Sequence, residues 1–489
     1  MLAKPANQSA SESLKKLEEG IRTVAKQHIG NALSGTHTAR DPYHSNLVDQ
    51  LTDQALERAH EMLIPVLTWV RAAGLDETAA MAGLQGHDFS VLLEYWTKFV
   101  SARCSAVQDQ LFNAKKLLGK PIVAVAVLNG DPHNGGYQPL KLTTEKSGVA
   151  HDFLYKSIDS TATKLVQRAA AIISARLGIG NFVDEVDESS KGAYLRRFAA
   201  VSKPENQIEI EQYFYIYGVI CSVASFLEIT DLHFENIITT RAGPRLIDIE
   251  FTLSCTQYQK FKWSYKNSGL FESGTSPIGQ TSKHLHLQPF HAISDNRISY
   301  RHLQSVENSS HIVLTSSGRP VDVSDFAGFI ERGARDADFA IQSSIENIYS
   351  ALHECLKEDH NLRCWIRGTA FYKAIQVQLW LPHARLSDQI QTTKNKLYHR
   401  KTISASIPEE AKIKIVDAEI HDLLKGDIPY FWINGASGDL MHSTGTLYKK
   451  WGLSSIEALA CRKNHWSIRH YSRDMAPIIR RMSMHRPIR

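Results

Sequence analysis

An apolar run, NQIEIEQYFYIYGVICSVASFLE (206–228), leads directly into TDLHFENIITTRAGPRLIDIEFT (230–252). The first stretch is apolar on nearly all sides, the mark of a helix buried in a core rather than laid on a surface. The second stretch breaks the run with polar residues in tight succession. RAGP supplies a turn, so NII and LIDIE pair as the two strands of a hairpin. Asp248 and Glu250 therefore sit in an otherwise apolar strand, close behind Asp231, His233 and Asn236.

Charged residues in a core strand need a reason, and phosphoryl transfer offers one. The transferred group carries diffuse negative charge, so the protein positions reactants and holds Mg²⁺ rather than doing covalent work. One carboxylate takes the proton of the attacking hydroxyl, which suits Asp231. An amide oxygen and further carboxylates hold metal, which suits Asn236, Asp248 and Glu250. Asp231 alone would read as a cap or turn residue; the five residues together point to a site. His233 follows the Asp, unlike the His-Arg-Asp order of protein kinases.

A site of this kind also needs a nucleotide-binding side. Upstream, KPIVAVAVL (120–128), YQPLKLTT (137–144) and HDFLYKSI (151–158) read as three strands joined by NGDPHNGG and EKSGVA, an antiparallel meander. NGDPHNGG brings glycine amides, Gly135 and Gly136 among them, that can approach phosphates. Lys156 ends the third strand. Asp131 and His133 in the same loop are unusual, because turn chemistry explains the Asp but not the His beside it. Residues 1–118 read as helices, with Leu14, Leu17, Ile21 and Val24 as one apolar stripe and Leu51, Ala55, Ala59, Met62 and Val66 as another; Pro65 should kink or split the second. VDEVDESSKG (183–192) reads as an acidic loop and 253–335 as a long irregular segment. Helices are expected to resume at about Asp338 and run to about 385. On such a helix Arg363 and Arg367 of RCWIRGTAFY share a face. Two arginines so placed can grip a phosphate or form a salt-bridged surface.

Bulk properties exclude several classes. A net charge of +5 over 489 residues does not call for nucleic acid, although the C-terminal run RKNHWSIRHYSRDMAPIIRRMSMHRPIR is basic. Six cysteines with no C-x-x-C pair argue against a disulfide framework and a thiolate zinc site. The start lacks a secretory h-region and no membrane span is expected, which points to a cytoplasmic protein.

The chain resembles the dehydratase domain of class II (LanM-type) lanthipeptide synthetases. The residues that carry the resemblance are GDPHNGG, LYKS, YFYIYGVICSVASFLEITDLHFENII, PRLIDIE, RCWIRGTAFY and GDIPYF, in that order along nearly the whole chain. The resemblance implies an α+β, lipid-kinase-like bilobal fold with a small antiparallel-sheet N-lobe and extensive helical additions. Its regions would be an N-terminal helical region (1–118), a kinase-like N-lobe (119–205) and a C-lobe (206–489). It implies ATP and Mg²⁺ as cofactors, and a precursor peptide with a leader as partner. Ser and Thr of that peptide would be phosphorylated and the phosphate then eliminated. In that family's terms Asp231, His233 and Asn236 are the catalytic loop, and Asp248 and Glu250 the metal pair. Lys156 is similar to its active-site lysine, and Asp131 and His133 to its Asp-x-His motif. Arg363 and Thr369 fall on the Arg and Thr linked to elimination. The family's Tyr-Lys-Pro-Arg is Tyr155-Lys156-Ser157-Ile158 here. The sequence holds no Cys and His set that fits a zinc cyclase, which leaves three alternatives open: a separate cyclase acts in trans, the product keeps its dehydroamino acids, or the chain is one domain of a longer protein. A peptide kinase that stops at the phosphorylated product, and a non-catalytic peptide-binding partner of a synthetase, are the competing readings.

Overall fold

A computed structural model of the chain describes residues 5–34, 41–72, 87–128, 130–190, 192–198, 201–232, 236–253, 323–380, 386–400 and 407–466. It adds short pieces between 268 and 321. In chain order the main elements are α1 (Pro5–Ser34), α2 (His44–Ala72), α3 (His87–Leu118), β1 (Ile122–Val127), β2 (Leu140–Lys146), β3 (Val149–Lys156) and α4 (Thr161–Leu177). There follow β4 (Val186–Ser190), β5 (Ala193–Arg197), α5 (Gln207–Leu227), β6 (Ile237–Thr240), β7 (Gly243–Leu246), α6 (Ala327–Ser343) and α7 (Ile345–Cys355). The last are β8 (Asn361–Cys364), α8 (Thr369–Trp380), α9 (Leu386–His399), α10 (Glu409–Lys425), β9 (Phe431–Asn434), β10 (Leu440–His442), β11 (Gly445–Tyr448) and α11 (Ser455–His465). The class is α+β with antiparallel sheets, as expected from the sequence.

The chain forms two compact units, each assembled from three pieces. The first comprises Met1–Ser157, Leu285–Leu303 and Ile366–Tyr430. Its helical base is α1 to α3. Leu51, Ala55, Ala59 and Met62 are buried on α2 as their spacing predicts. On α1 the stripe is Ala25, Ile29 and Leu33, all fully buried, while Val24 is 53% exposed. Ile21, part-buried, leads into this stripe at i+4, so of the expected positions Val24 is the one that turns outward and Ala25 takes its place. α2 runs through Pro65 as one helix rather than two. The meander β1–β2–β3 forms as read, with Leu142 facing Val125 on one side and Phe153 on the other. Gln50 of α2 acts as an extra partner for β1: its amide donates to the Val125 carbonyl at 2.9 Å and accepts from the Val127 N–H at 2.7 Å.

The second unit comprises Ile158–His284, Gln304–Trp365 and Phe431–Arg489. Its centre is α5. Asn206 caps the helix by accepting from the Glu209 N–H at 3.0 Å. At the far end Arg462 of α11 donates to the Phe226 and Ser225 carbonyls at 3.0 and 2.7 Å, satisfying last-turn groups that a helix leaves open. α5 is long and apolar enough to cross a membrane, but 83% of its apolar window is buried, as befits a core helix. α6 lies against α5 at glycine contacts: a Cβ at Gly218 would overlap the Ile330 carbonyl, and one at Gly333 the Tyr215 carbonyl.

Several segments differ from expectation. Within the stretch 183–192, Val186–Ser190 form strand β4 rather than loop and pair antiparallel with β5. Asp184 explains why so acidic a stretch is ordered: it bridges Arg196 at 2.6 Å and Arg245 at 2.7 Å. Helix resumes at Ala327, earlier than expected. Residues 361–364 are strand β8 of a four-stranded sheet ordered β8-β9-β10-β11, because Arg363 pairs with Trp432 far along the chain. Most of 253–320, and the basic tail after 466, lie outside the described residues.

Candidate functional site

The second unit holds the acidic half of the predicted site. β6 and β7 pair from Ile237 with Leu246 to Thr240 with Gly243, closing through Arg241 and Ala242. β7 ends at Leu246, so Asp248 and Glu250 lie just past the strand rather than in it. One further hydrogen bond, Ile247 N–H to the Asn236 carbonyl at 3.1 Å, carries the pairing toward Asp248. That segment is pinned on its other side. Thr163 of α4 donates to the Ile249 carbonyl at 3.1 Å, and the Thr252 hydroxyl and Leu253 N–H reach the Leu227 carbonyl at 2.9 and 2.7 Å. Ile249, Phe251 and Leu253 are buried, while the alternate acids Asp248 and Glu250 keep some exposure.

Asp231 is exposed, with a left-handed φ of 65°. Strain of this sort persists only where surrounding contacts enforce it. Here the Asn236 amide nitrogen donates to the Asp231 carbonyl at 2.7 Å, and the Leu232 N–H donates to the Ser268 carbonyl at 2.7 Å. Because Nδ2 of Asn236 is spent on this bond, its Oδ1 is the atom suited to a metal. His233 lies outside the described residues.

Arg363 belongs with these acids, though not as the sequence suggested. It sits on strand β8, not on a helix shared with Arg367. Its guanidinium pairs with Glu250 and lies 4.7 Å from the Phe251 ring, with both ion-pair side chains mostly buried. β8 is set in place by Asp159, which accepts from the Thr161 N–H at 2.8 Å and the Asn361 N–H at 2.9 Å. Arg367 is a structural residue of the first unit. It is fully buried against Glu419 at 2.6 Å and donates to the Leu397 carbonyl at 2.8 Å, so it cannot grip a phosphate. Tyr372 completes that cluster at 2.7 Å from Glu419.

The first unit holds the predicted loop. His133 and Tyr137 exchange backbone hydrogen bonds at 3.2 and 2.8 Å, which closes a tight turn. Asn134, Gly135 and Gly136 inside it all have positive φ (50°, 87° and 96°), and Gly136 also packs against the backbone of Ala102 and Arg103. Only glycines suit the last two positions. The segment 427–430 grips this turn: Ile428 N–H donates to the Pro132 carbonyl at 2.9 Å, and His133 Nδ1 lies 2.8 Å from the Ile428 carbonyl. A carbonyl only accepts, so Nδ1 carries the ring proton and Nε2 is the basic nitrogen when the ring is neutral.

The Gly135 amide, proposed for phosphate, donates to the Asp427 carboxylate at 2.5 Å, and the Gly136 amide points to the same group. Burial pushes Asp427 up to about 6 against the pull of those amides. Asp131 pairs with Lys373 at 2.8 Å. Lys373 is on α8, one turn beyond Thr369, which begins that helix half-buried. Lys156 ends β3 and is 4% exposed. Sequence reasoning missed Lys373 and Asp427. The i,i+4 spacing from Thr369 hinted at the first, and GDIPYF contained the second without a role.

Residues 92–434 match the family described as a domain of unknown function (DUF4135). A relative is the lacticin 481/lactococcin biosynthesis protein LcnDR2 of Lactococcus lactis subsp. lactis, 28% identical over 163 residues. That match covers 30% of this chain and 16% of the relative, so this chain corresponds to only a small part of it. The family match takes in both the 131–137 loop and the 231–250 hairpin, and the chain therefore belongs to the DUF4135 family, a domain associated with LanM-type lanthipeptide synthetases.

Proposed function

We propose that the protein is a peptide dehydratase of lanthipeptide biosynthesis on a lipid-kinase-like bilobal fold. It phosphorylates Ser and Thr of a ribosomally made precursor peptide and then eliminates the phosphate, leaving dehydroalanine or dehydrobutyrine. The observation that carries this reading is the loop and hairpin of the second unit. There Asn236 ties down the strained Asp231, and the chain past β7 presents Asp248 and Glu250. Membership of the family and the similarity to a lacticin 481 biosynthesis protein support it.

The donor set fits Mg²⁺, a hard cation bound by oxygen: Asn236 Oδ1, Asp248 and Glu250 would hold it. When bound, ATP supplies the phosphoryl group and Mg²⁺ offsets the phosphate charge. Asp231 accepts the proton of the substrate hydroxyl, and His233 is counted with it in the catalytic loop. Lys156 serves the nucleotide side. In the second step the substrate α-proton passes to a base, for which His133 Nε2 is suited with Asp131 beside it. The Cβ–O bond breaks as the phosphate leaves, and the resemblance gives Arg363 and Thr369 to this elimination. Hydroxide is a poor leaving group, which is why phosphorylation must come first.

Co-expression with a precursor peptide and intact-mass measurement test the reading. Loss of roughly 18 Da per modified residue, the net of the phosphoryl group gained and the phosphoric acid then eliminated, is the expected result. A gain of roughly 80 Da per residue would mean a kinase without elimination. No change, together with no ATP binding, would favour the peptide-binding scaffold.

A further inference from the structure

In phosphate-binding loops, glycine amides usually face the anion. Here an anion of the protein is already there. The Asp427 carboxylate, 1% exposed, accepts from the Gly135 amide at 2.5 Å, and the neighbouring Gly136 amide also acts to hold its pKa down. The carbonyl of the same Gly136 accepts from Arg103 of α3, itself 2% exposed and steadied by Gln54 Oε1 at 3.2 Å. A carboxylate thus accepts from the N–H side of this dipeptide while a guanidinium donates to its carbonyl, and the two buried charges offset each other. Their neighbours complete the grip. Gln376 of α8 donates to the Asp427 carbonyl at 2.9 Å, Ile428 N–H binds the Pro132 carbonyl, and His133 Nδ1 reaches the Ile428 carbonyl. The other charged groups acting on Asp427 are Asp422 and Lys425 of α10.

We propose that Asp427 and Arg103 are positioning residues that clasp the Gly135–Gly136 dipeptide, one at its first N–H and the other at its last carbonyl. The two glycine amides then serve the shape of the loop, and the aim of Asp131 and His133, instead of the phosphates of a nucleotide. Protein carboxylate and nucleotide phosphate compete for the same donors, so one arrangement excludes the other. The functional half of this inference rests on the dehydratase reading; the clasp itself does not.

Asp427→Asn separates the possibilities, since it keeps the side-chain shape and removes the charge. Amide hydrogen exchange of the full-length protein without substrate is the first readout. Losing a charge-assisted acceptor should speed exchange at Gly135 and Gly136 by about tenfold or more. Their protection in the native protein should also fall as pH drops through about 6, where Asp427 takes a proton, and be flat in the variant. Unchanged exchange in Asp427→Asn would overturn the clasp, whatever the protein's activity.

The second readout is kinetic. A clasp predicts an unchanged KM for ATP with phosphopeptide accumulating, because elimination loses its aligned Asp131 and His133. A KM for ATP several-fold lower in the variant would mean that the amides do bind phosphate and Asp427 competes with it, which sinks the proposal. Should Asp427→Asn not fold, Arg103→Lys loosens the same peptide from the carbonyl side and is read the same way. If the native protein neither phosphorylates nor dehydrates peptide, the dehydratase reading fails and the exchange data alone judge the clasp.

Discussion

Arg363 and Glu250 form a mostly buried ion pair beside the Phe251 ring, with side-chain exposures of 14% and 16%. Removing one member leaves the other charge without its partner in a poorly solvated place, at a cost of about 1–3 kcal/mol for a pair not fully buried. Arg363→Ala should therefore lower stability and, if Arg363 receives the leaving phosphate, accumulate phosphopeptide. Only unmodified peptide from a folded variant would assign Arg363 to phosphorylation instead. Arg363→Lys should restore little, because a lysine cannot reproduce the planar guanidinium over the Phe251 ring. Asp248→Asn should abolish phosphorylation while the hairpin stays intact; retained turnover would remove Asp248 from the metal set. The grouping of Asp231, Asn236 and Asp248 on one loop and hairpin was legible in the sequence, because the connection between them is short. Arg363 was given the wrong element, since strand β8 is defined by pairing with residues 431–434 and not by any local pattern. Asp427 was legible as part of a motif but not as a partner of Gly135, 292 positions away.

At the scale of elements, α5 was the most legible segment, and its partner the least. An unbroken apolar run reads as a buried helix, yet nothing in it says which helix will cover it. Gly218 and Gly333 hold that answer, because each lets the backbone of the opposite helix come closer than any side chain would allow. Ser222 strengthens the crossing by donating to the Ala334 carbonyl at 2.8 Å, and Tyr215 reaches Asp336 at 3.0 Å. A single methyl at Gly333 would overlap the Tyr215 carbonyl, a backbone atom that cannot swing away. Gly333→Ala should cost about 2–3 kcal/mol, at the upper end of overpacking losses, despite improving helix propensity. Gly328→Ala, on the same helix with open space around it, is the control and should cost nothing. Chemical denaturation of both variants checks this; equal stability would mean that the helices do not cross at the glycines. The same logic explains α1, where spacing gave the period while neighbouring helices chose Ala25 over Val24 as the inward position.

For the molecule as a whole, each unit contains a buried acid with a raised pKa, and both bear on stability in the same direction. Asp427 in the first unit is pushed up to about 6 and Asp338 in the second to about 7, in both cases mainly by burial. Asp338 is the starker case. Among the described residues its carboxylate oxygens have no hydrogen-bond partner of good geometry; Ser222 lies near enough to oppose the shift, but its hydroxyl donates to the Ala334 carbonyl. An acid whose folded pKa lies above its unfolded value keeps a proton in the fold that the unfolded chain has already released. Stability therefore falls as pH rises between the two values. For Asp338 the window runs from about 4 to about 7, and the loss across it is on the order of 4 kcal/mol at roughly 1.4 kcal/mol per unit. Paired surface acids such as Asp152, whose pKa is lowered by Lys141 and Thr143, pull the other way at lower pH. The absolute profile mixes these effects, but the difference between native protein and variant does not. Asp338→Asn keeps the volume and removes the ionisation. It should be close to neutral near pH 4 and stabilising by a few kcal/mol at pH 8, with the gain appearing between those values. Urea unfolding of both proteins across that range measures the difference directly. A gain that does not vary with pH would mean that Asp338 is already ionised at pH 4, with a partner in the fold that the structure does not place beside it.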